Sequence, residues 1–127
     1  PLDADMHDSP RSLAQIVTMA SLVEEETRTD EERPVVSGIL WKRFDEGYIL
    51  GVDAAVRYIT GSGALTGQDL QVDSPYNIRR FRGLPPGPIT NPGLKSIKAA
   101  LHPEASQYLY YLHDSNGQVT LTGGISV

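Results

Sequence analysis

The chain contains no cysteine, which excludes disulfides, thiolate metal sites and cysteine nucleophiles and leaves the redox compartment open. It also lacks any apolar run approaching the roughly 18 residues that a membrane-spanning helix needs. Its first residues, Pro1-Leu2-Asp3-Ala4-Asp5, put no basic stretch ahead of an apolar one, so neither a span nor a signal peptide is expected within it. Basic residues are scarce: 11 Lys and Arg stand against 16 Asp and Glu, for a net charge of −5. A nucleic-acid partner is therefore not expected, because the basic footprint of such a domain is missing. The one basic cluster, Arg79, Arg80 and Arg82 around Phe81, has no accompanying series of stacking rings and reads as a solvated loop, compatible with an anionic or sugar ligand. No Gly-x-Ser-x-Gly elbow, Gly-x-Gly-x-x-Gly turn or Walker pattern occurs, and His7, His102 and His113 match no metal-binding spacing. Neither a metal nor a cofactor is expected.

What is present suits one globular core: 127 residues, 39% of them hydrophobic, with the acidity confined to the first third. Residues 1–46 carry eleven Asp and Glu against five Lys and Arg, and residues 47–127 carry five against six. A first helix is expected from Ser9-Pro10 or Ser12 to about Thr27. On its wheel Leu13, Ile16, Val17, Met19, Ala20, Leu22 and Val23 form a broad apolar arc, with Ala14, Thr18, Ser21 and Glu25 opposite. Glu24 and Glu26 both fall inside the apolar arc. A second helix from Thr29 or Asp30 to a Gly47 stop makes an αα-hairpin with the first. After a β-prone Tyr48-Ile49-Leu50, a short helix over residues 53–59 ends at Gly61. Residues 60–93 are rich in Gly and Pro and form a long, stiff loop, of a length more often functional than filler. A third helix over residues 94–102 ends at Pro103, and the run from Tyr108 to Thr122 reads as a β-hairpin turning at Asn116-Gly117. The expected class is α+β, with the helical hairpin and third helix packed on a small antiparallel sheet and the Pro/Gly-rich loop forming a groove wall.

The Glu24-Glu25-Glu26 run is the first candidate for chemistry. Negative charge is unfavourable at a helix C-terminus, and two of the three carboxyls point to the apolar face. A carboxyl so placed should have a raised pKa, further raised by a carboxylate nearby, which is how a general acid is made. Wheel geometry does not separate Glu24 from Glu26. Asp53 heads the short helix, either as an N-cap or as a functional carboxylate. Asp73-Ser74-Pro75-Tyr76-Asn77 is a turn by composition that offers a ring and an amide, the groups a sugar polymer needs.

Several stretches, in order, carry a resemblance: Met19-Ala20-Ser21-Leu22-Val23-Glu24-Glu25-Glu26-Thr27, Asp73-Ser74-Pro75-Tyr76-Asn77, Gly83-Leu84-Pro85-Pro86-Gly87-Pro88-Ile89, Asn91-Pro92-Gly93, Ala99-Ala100-Leu101-His102-Pro103 and Tyr108-Leu109-Tyr110-Tyr111. Together they resemble the catalytic domain of the endolytic murein transglycosylase family (MltG, YceG-like) over about residues 13–122. The resemblance implies an enzyme that cuts peptidoglycan glycan strands internally, between N-acetylmuramic acid and N-acetylglucosamine, leaving 1,6-anhydro ends without a cofactor. It places the catalytic glutamate at Glu26, with Glu24, Asp53, Tyr76, Asn77, Leu84, Pro85, Pro86 and Asn91 as substrate-binding or supporting residues. Residues 1–10, polar and aspartate-rich at their start, read by composition as a disordered lead-in or remnant, and the resemblance implies 11–127 as the catalytic domain, without the family's N-terminal membrane anchor and LysM-like region. The expected location is the bacterial cytoplasmic membrane, with the domain on its extracytoplasmic side, and peptidoglycan synthases are candidate partners. Departures are local: the family's Asp-Pro-Thr-Val-x-Tyr reads Asp53-Ala54-Ala55-Val56-Arg57-Tyr58, and Tyr-Asn-Thr-Tyr reads Tyr76-Asn77-Ile78-Arg79. Its Gly-His-x-Phe reads Gln118-Val119-Thr120-Leu121. Because these changes touch substrate contacts, the alternative is a non-catalytic module that binds peptidoglycan or a partner in cell-wall synthesis.

Overall fold

A computed structural model describes residues 2–61, 65–113 and 119–121. Helices α1 (Leu2–Asp8), α2 (Leu13–Glu26), α3 (Glu32–Asp45), α4 (Asp53–Thr60) and α5 (Leu94–Leu101) follow in chain order, with a single 3₁₀ turn at Asp69–Gln71. The strands β1 (Tyr111–His113) and β2 (Val119–Leu121) pair antiparallel, Tyr111 opposite Leu121. The turn expected at Asn116-Gly117 lies outside the described residues. Leu2–Asp8 is helical where composition suggested a lead-in, and Met6 packs partly against the core.

α2 is the central element. Ser12 caps it through a reciprocal box: its hydroxyl accepts from the Gln15 amide at 3.1 Å, and the Gln15 side chain accepts from the Ser12 amide at 2.9 Å. Just before the cap, Arg11 clamps Asp45 at the end of α3 with two bonds of 2.8 and 2.9 Å, its guanidinium 3.8 Å from the Trp41 ring centroid. The start of α2 is thereby tied to the end of α3, as a helical hairpin requires. α5 lies across both, and the Trp41 indole N–H donates to the Ala100 carbonyl at 3.0 Å. Ile16, Met19, Leu22 and Val23 of α2 meet Val36 and Leu40 of α3 and Ala99 and Ala100 of α5 in one buried cluster.

The α+β expectation is overturned. The helices pack on one another and not on a sheet, and the fully buried core comes from helices and from Leu50, Val52 and Ile78 between them. Among the described residues, two strands of three residues each are too short and too few to make a layer on which helices could lie. The polar side assigned to α2 is also wrong in its burial: Thr18 and Ser21 are buried. The Ser21 hydroxyl donates to the Thr18 carbonyl at 2.6 Å and accepts from the Ile89 amide at 3.1 Å, so small hydroxyls satisfied in this way go inside without an unpaired polar group. That second bond shows what the Pro/Gly-rich loop does. Instead of standing up as a groove wall it lies down on α2, with Leu84 and Ile89 against the core.

The backbone comes close at Gly38 of α3, where an added Cβ would sit 1.8 Å from the Glu104 carbonyl oxygen. Glu104 is held there by its own amide, which donates to the Pro34 carbonyl at 3.0 Å. Gly38→Ala should therefore lower stability by about 1–3 kcal/mol, the usual range for overpacking. A denaturant midpoint equal to that of the unsubstituted protein would contradict the close approach.

Candidate active site

At 3.6 residues per turn, side chains at positions 24 and 26 leave α2 roughly 160° apart, and the fold gives them different partners. Glu24 turns to the start of α5. Its Oε1 accepts from the Gly93 amide at 3.0 Å and from the Ser96 hydroxyl at 2.8 Å. The Gly93 N–H first, then the Ser96 hydroxyl, hold its carboxyl below the usual range, with the Arg33 charge adding to both. The expectation of a raised pKa at Glu24 is corrected here: the carboxylate sits at a helix N-terminus, where donors and dipole favour the charged form.

Glu26, at the last turn of α2, is half-buried and turns to the C-terminal segment. Its Oε1 accepts a hydrogen bond of 2.6 Å from the Tyr111 phenol. Burial, then the Glu26 charge and this hydrogen bond, push the Tyr111 hydroxyl well above the ordinary phenol range, so it remains a proton donor to the carboxyl at any physiological pH. Behind the pair stands Arg43 of α3. Its Nε donates to the Leu109 carbonyl and its Nη1 to the Leu50 carbonyl, both at 2.6 Å, and its guanidinium lies 5.4 Å from the ring centroids of Tyr110 and of Tyr111. Burial lowers the Arg43 pKa against the pull of Tyr111, Tyr110 and Glu26; arginine stays cationic regardless. Arg43 also lines a cleft of about 300 Å³ with Tyr48, Ile49, Arg79, Leu109 and Tyr110. The carboxyl, the phenol and the guanidinium thus stand next to one another, and of the three it is Arg43 that lines the cleft.

The other candidates divide. Asp53 heads α4 and pairs with Arg79 at 2.9 Å, and its charge reaches Tyr111, which puts it on the same side of the molecule as Glu26. Asn77 is fully buried. Its amide donates to the Leu70 and Val72 carbonyls at 3.0 and 2.8 Å and its oxygen accepts from the Arg79 amide at 3.2 Å, so it shapes the loop from inside. Tyr76 stacks on Tyr58, with ring centroids 5.0 Å apart. Leu84 packs on the core, Pro85 is buried, and Pro86 and Asn91 are exposed. Pro86 lines a separate depression with Asp73, Phe81 and Arg82. Among the described residues no group of three or more His, Asp or Glu side chains is placed to hold a metal.

Sequence reasoning missed Tyr111 and Arg43. Tyr111 stood in the Tyr108-Leu109-Tyr110-Tyr111 run as a strand residue and part of a family motif, without a role at the site, and Arg43 was not singled out. The contact with Glu26 spans 85 positions, and no local pattern reports a pairing at that distance.

The family model described as the YceG-like family matches residues 3–123. The chain belongs to the YceG-like family. The endolytic murein transglycosylase of Bacillus subtilis (strain 168) is 39% identical over 121 residues, which are 94% of this chain and 34% of that protein. The endolytic murein transglycosylase of Streptococcus pneumoniae serotype 2 is 32% identical over 110 residues, 79% of this chain and 19% of that protein. The chain therefore spans about a third and about a fifth of these two relatives. Among solved structures, a YceG-like protein from Listeria monocytogenes superposes with a TM-score of 0.89 at 36% identity, covering 94% of this chain and 40% of that one.

Within this YceG-like domain the Glu24 bracket sets a pH dependence. A carboxyl whose folded pKa is depressed contributes stability above its unfolded value, here 4.5, and loses that contribution as pH falls through the folded value. Glu24→Gln should cost about 1 kcal/mol at pH 7, a figure reduced for partial solvent screening. The gap from the unsubstituted protein should close as pH drops below 4.5. A gap that is constant from pH 7 to pH 3 would show that the charge of Glu24 is not what Gly93 and Ser96 hold.

Proposed function

We propose that this domain cleaves the glycan strands of peptidoglycan internally, at the bond between N-acetylmuramic acid and N-acetylglucosamine, as a lytic transglycosylase working on the extracytoplasmic side of the cell. The observation that carries this reading is the 2.6 Å bond from Tyr111 to Glu26; the Tyr111 ring faces Arg43, which lines a cleft with aromatic and cationic side chains. The names of the two relatives point to the same substrate.

In this reading Glu26, in its acid form, gives a proton to the glycosidic oxygen as the bond to the muramoyl C1 breaks and positive charge develops on that ring. The carboxylate so formed takes the proton of the same sugar's C6 hydroxyl, whose oxygen closes on C1 to give the 1,6-anhydro ring. Glu26 ends protonated again and no water is consumed. One carboxyl serves both halves because the nucleophile belongs to the substrate, whereas most glycosidases place a second carboxylate for water or for covalent attack. Tyr111 acts through Glu26 as a positioning residue. Its hydrogen bond fixes the carboxyl plane and strengthens when Glu26 is charged, so it favours the proton-accepting half of the cycle. Arg43 balances the same charge from behind the phenol.

Positioned proton transfer contributes about 10²–10⁴-fold to rate, so Glu26→Gln should lose at least the lower figure. The assay is digestion of uncrosslinked glycan with mass analysis of the new ends. Anhydro ends made equally well by the variant would remove Glu26 from the mechanism, and reducing ends would indicate a hydrolase. Tyr111→Phe should lower kcat by about 10-fold, the worth of one hydrogen bond to a charged group, with KM little changed. A loss of stability with kcat unchanged would reduce Tyr111 to a packing residue.

A further inference from the structure

The cleft lined by Arg43, the guanidinium behind the Glu26–Tyr111 pair, is cationic. In a chain of net charge −5 it is lined by two guanidinium groups, Arg43 and Arg79. Arg43 is engaged with two backbone carbonyls, so it supplies a fixed positive field from the cleft floor. Arg79 is different: its side chain is 42% exposed, and it pairs with Asp53 at 2.9 Å, itself 39% exposed. A guanidinium has five N–H donors in a planar fork, and a single carboxylate contact at the surface is weak and exchangeable. Around the two cations stand Tyr48, Ile49 and Tyr110, 47, 41 and 43% exposed. Flat apolar faces next to a guanidinium fork suit a sugar ring that carries an acidic arm, since the ring stacks on the aromatics and the carboxylate meets the fork. Position 79 is also where the family pattern has a tyrosine, so the cation there is a departure of this chain.

We propose that this cleft is a subsite for an acidic arm of the glycan, in which Arg79 favours muramoyl units whose arm ends in a free carboxylate over those in which it is a carboxamide. The proposal rests on the reading of the domain as a glycan-cleaving enzyme and adds a substrate preference to it. Arg79 exchanges its contact with Asp53 for the arm's carboxylate, and Tyr48 and Tyr110 hold the ring. Arg43 keeps the site positive while Asp53 remains close by.

The test is equilibrium binding of two probes, a muramoyl dipeptide with one free side-chain carboxyl and the same molecule with that group amidated. The protein should bind the acid about 10-fold more tightly than the amide at low salt, and the preference should shrink in high salt. Arg79→Gln should abolish the preference, Arg79→Lys should keep part of it because the charge remains without the fork, and Arg82→Gln, on the separate depression, should leave it unchanged. Equal affinity for the two probes, no binding of either, or a preference that survives Arg79→Gln would overturn the proposal. Glycan cleavage is followed in parallel. Glu26-dependent anhydro ends with no discrimination between probes would reject the subsite alone, and discrimination without any cleavage would reject the enzymatic reading alone.

Discussion

The hydrogen bond between Tyr111 and Glu26 joins segments 85 positions apart in the chain, and the site depends on what keeps both ends still. On the Glu26 side the constraint is α2 itself. It is capped at Ser12, anchored to α3 through Arg11 and Asp45, and closed at Thr27, whose hydroxyl donates to the Val23 carbonyl at 2.7 Å. On the Tyr111 side it is Arg43, whose two 2.6 Å bonds to the Leu109 and Leu50 carbonyls draw the chain entering β1 and the chain before α4 to one point. Each clamp fixes a backbone from which one of the two side chains reaches the other, which would hold the carboxyl within the tolerance that the proposed proton transfer requires.

Two carboxyls two positions apart on the same helix are given different partners by the roughly 160° between them. Glu24 meets an amide and a hydroxyl at the start of α5 and stays ionised, fastening the Asn91-Pro92-Gly93 segment to α2. Glu26 meets a phenol that keeps its own proton. A donor that cannot ionise orients a carboxyl without competing for the proton that the proposed cycle has it pass on, whereas a second carboxylate in its place would change charge with it. The loop that closes over Ser21 completes the division, because it gives α2 a covered flank where its small hydroxyls are satisfied and leaves the Glu26 flank to Tyr111 and Arg43.

Much of this was legible in the residues. The Ser12 cap, the helical hairpin and the helix after Asn91-Pro92-Gly93 follow from capping, periodicity and proline placement, and the family followed from motifs spread over most of the chain. The class was misread because the Tyr108–Thr122 run looks like a hairpin and a hairpin was taken to imply a sheet layer. The described strands are three residues each, and the core had already closed helix against helix. The polarity of Thr18 and Ser21 misled for a related reason. A wheel shows which side chains are polar, but whether a distant loop arrives to accept and donate to them is a tertiary fact. Glu24 and Glu26 looked alike for the same reason, since their difference lies in Gly93, Ser96 and Tyr111, none of which is near them in sequence.

The central claim is that the carboxyl presented by Tyr111 is the group that meets the glycosidic oxygen. It is tested most directly by a crystal structure of the Glu26→Gln protein holding a glycan oligosaccharide too slow to be cut. The account predicts a muramoyl–glucosaminyl linkage oxygen within hydrogen-bonding reach of the side chain at position 26, with the muramoyl C6 hydroxyl on the same side and the strand lying along the Tyr110 and Arg79 cleft. A saccharide bound instead over Pro86 and Asn91, with position 26 turned away from every glycosidic oxygen, would contradict it.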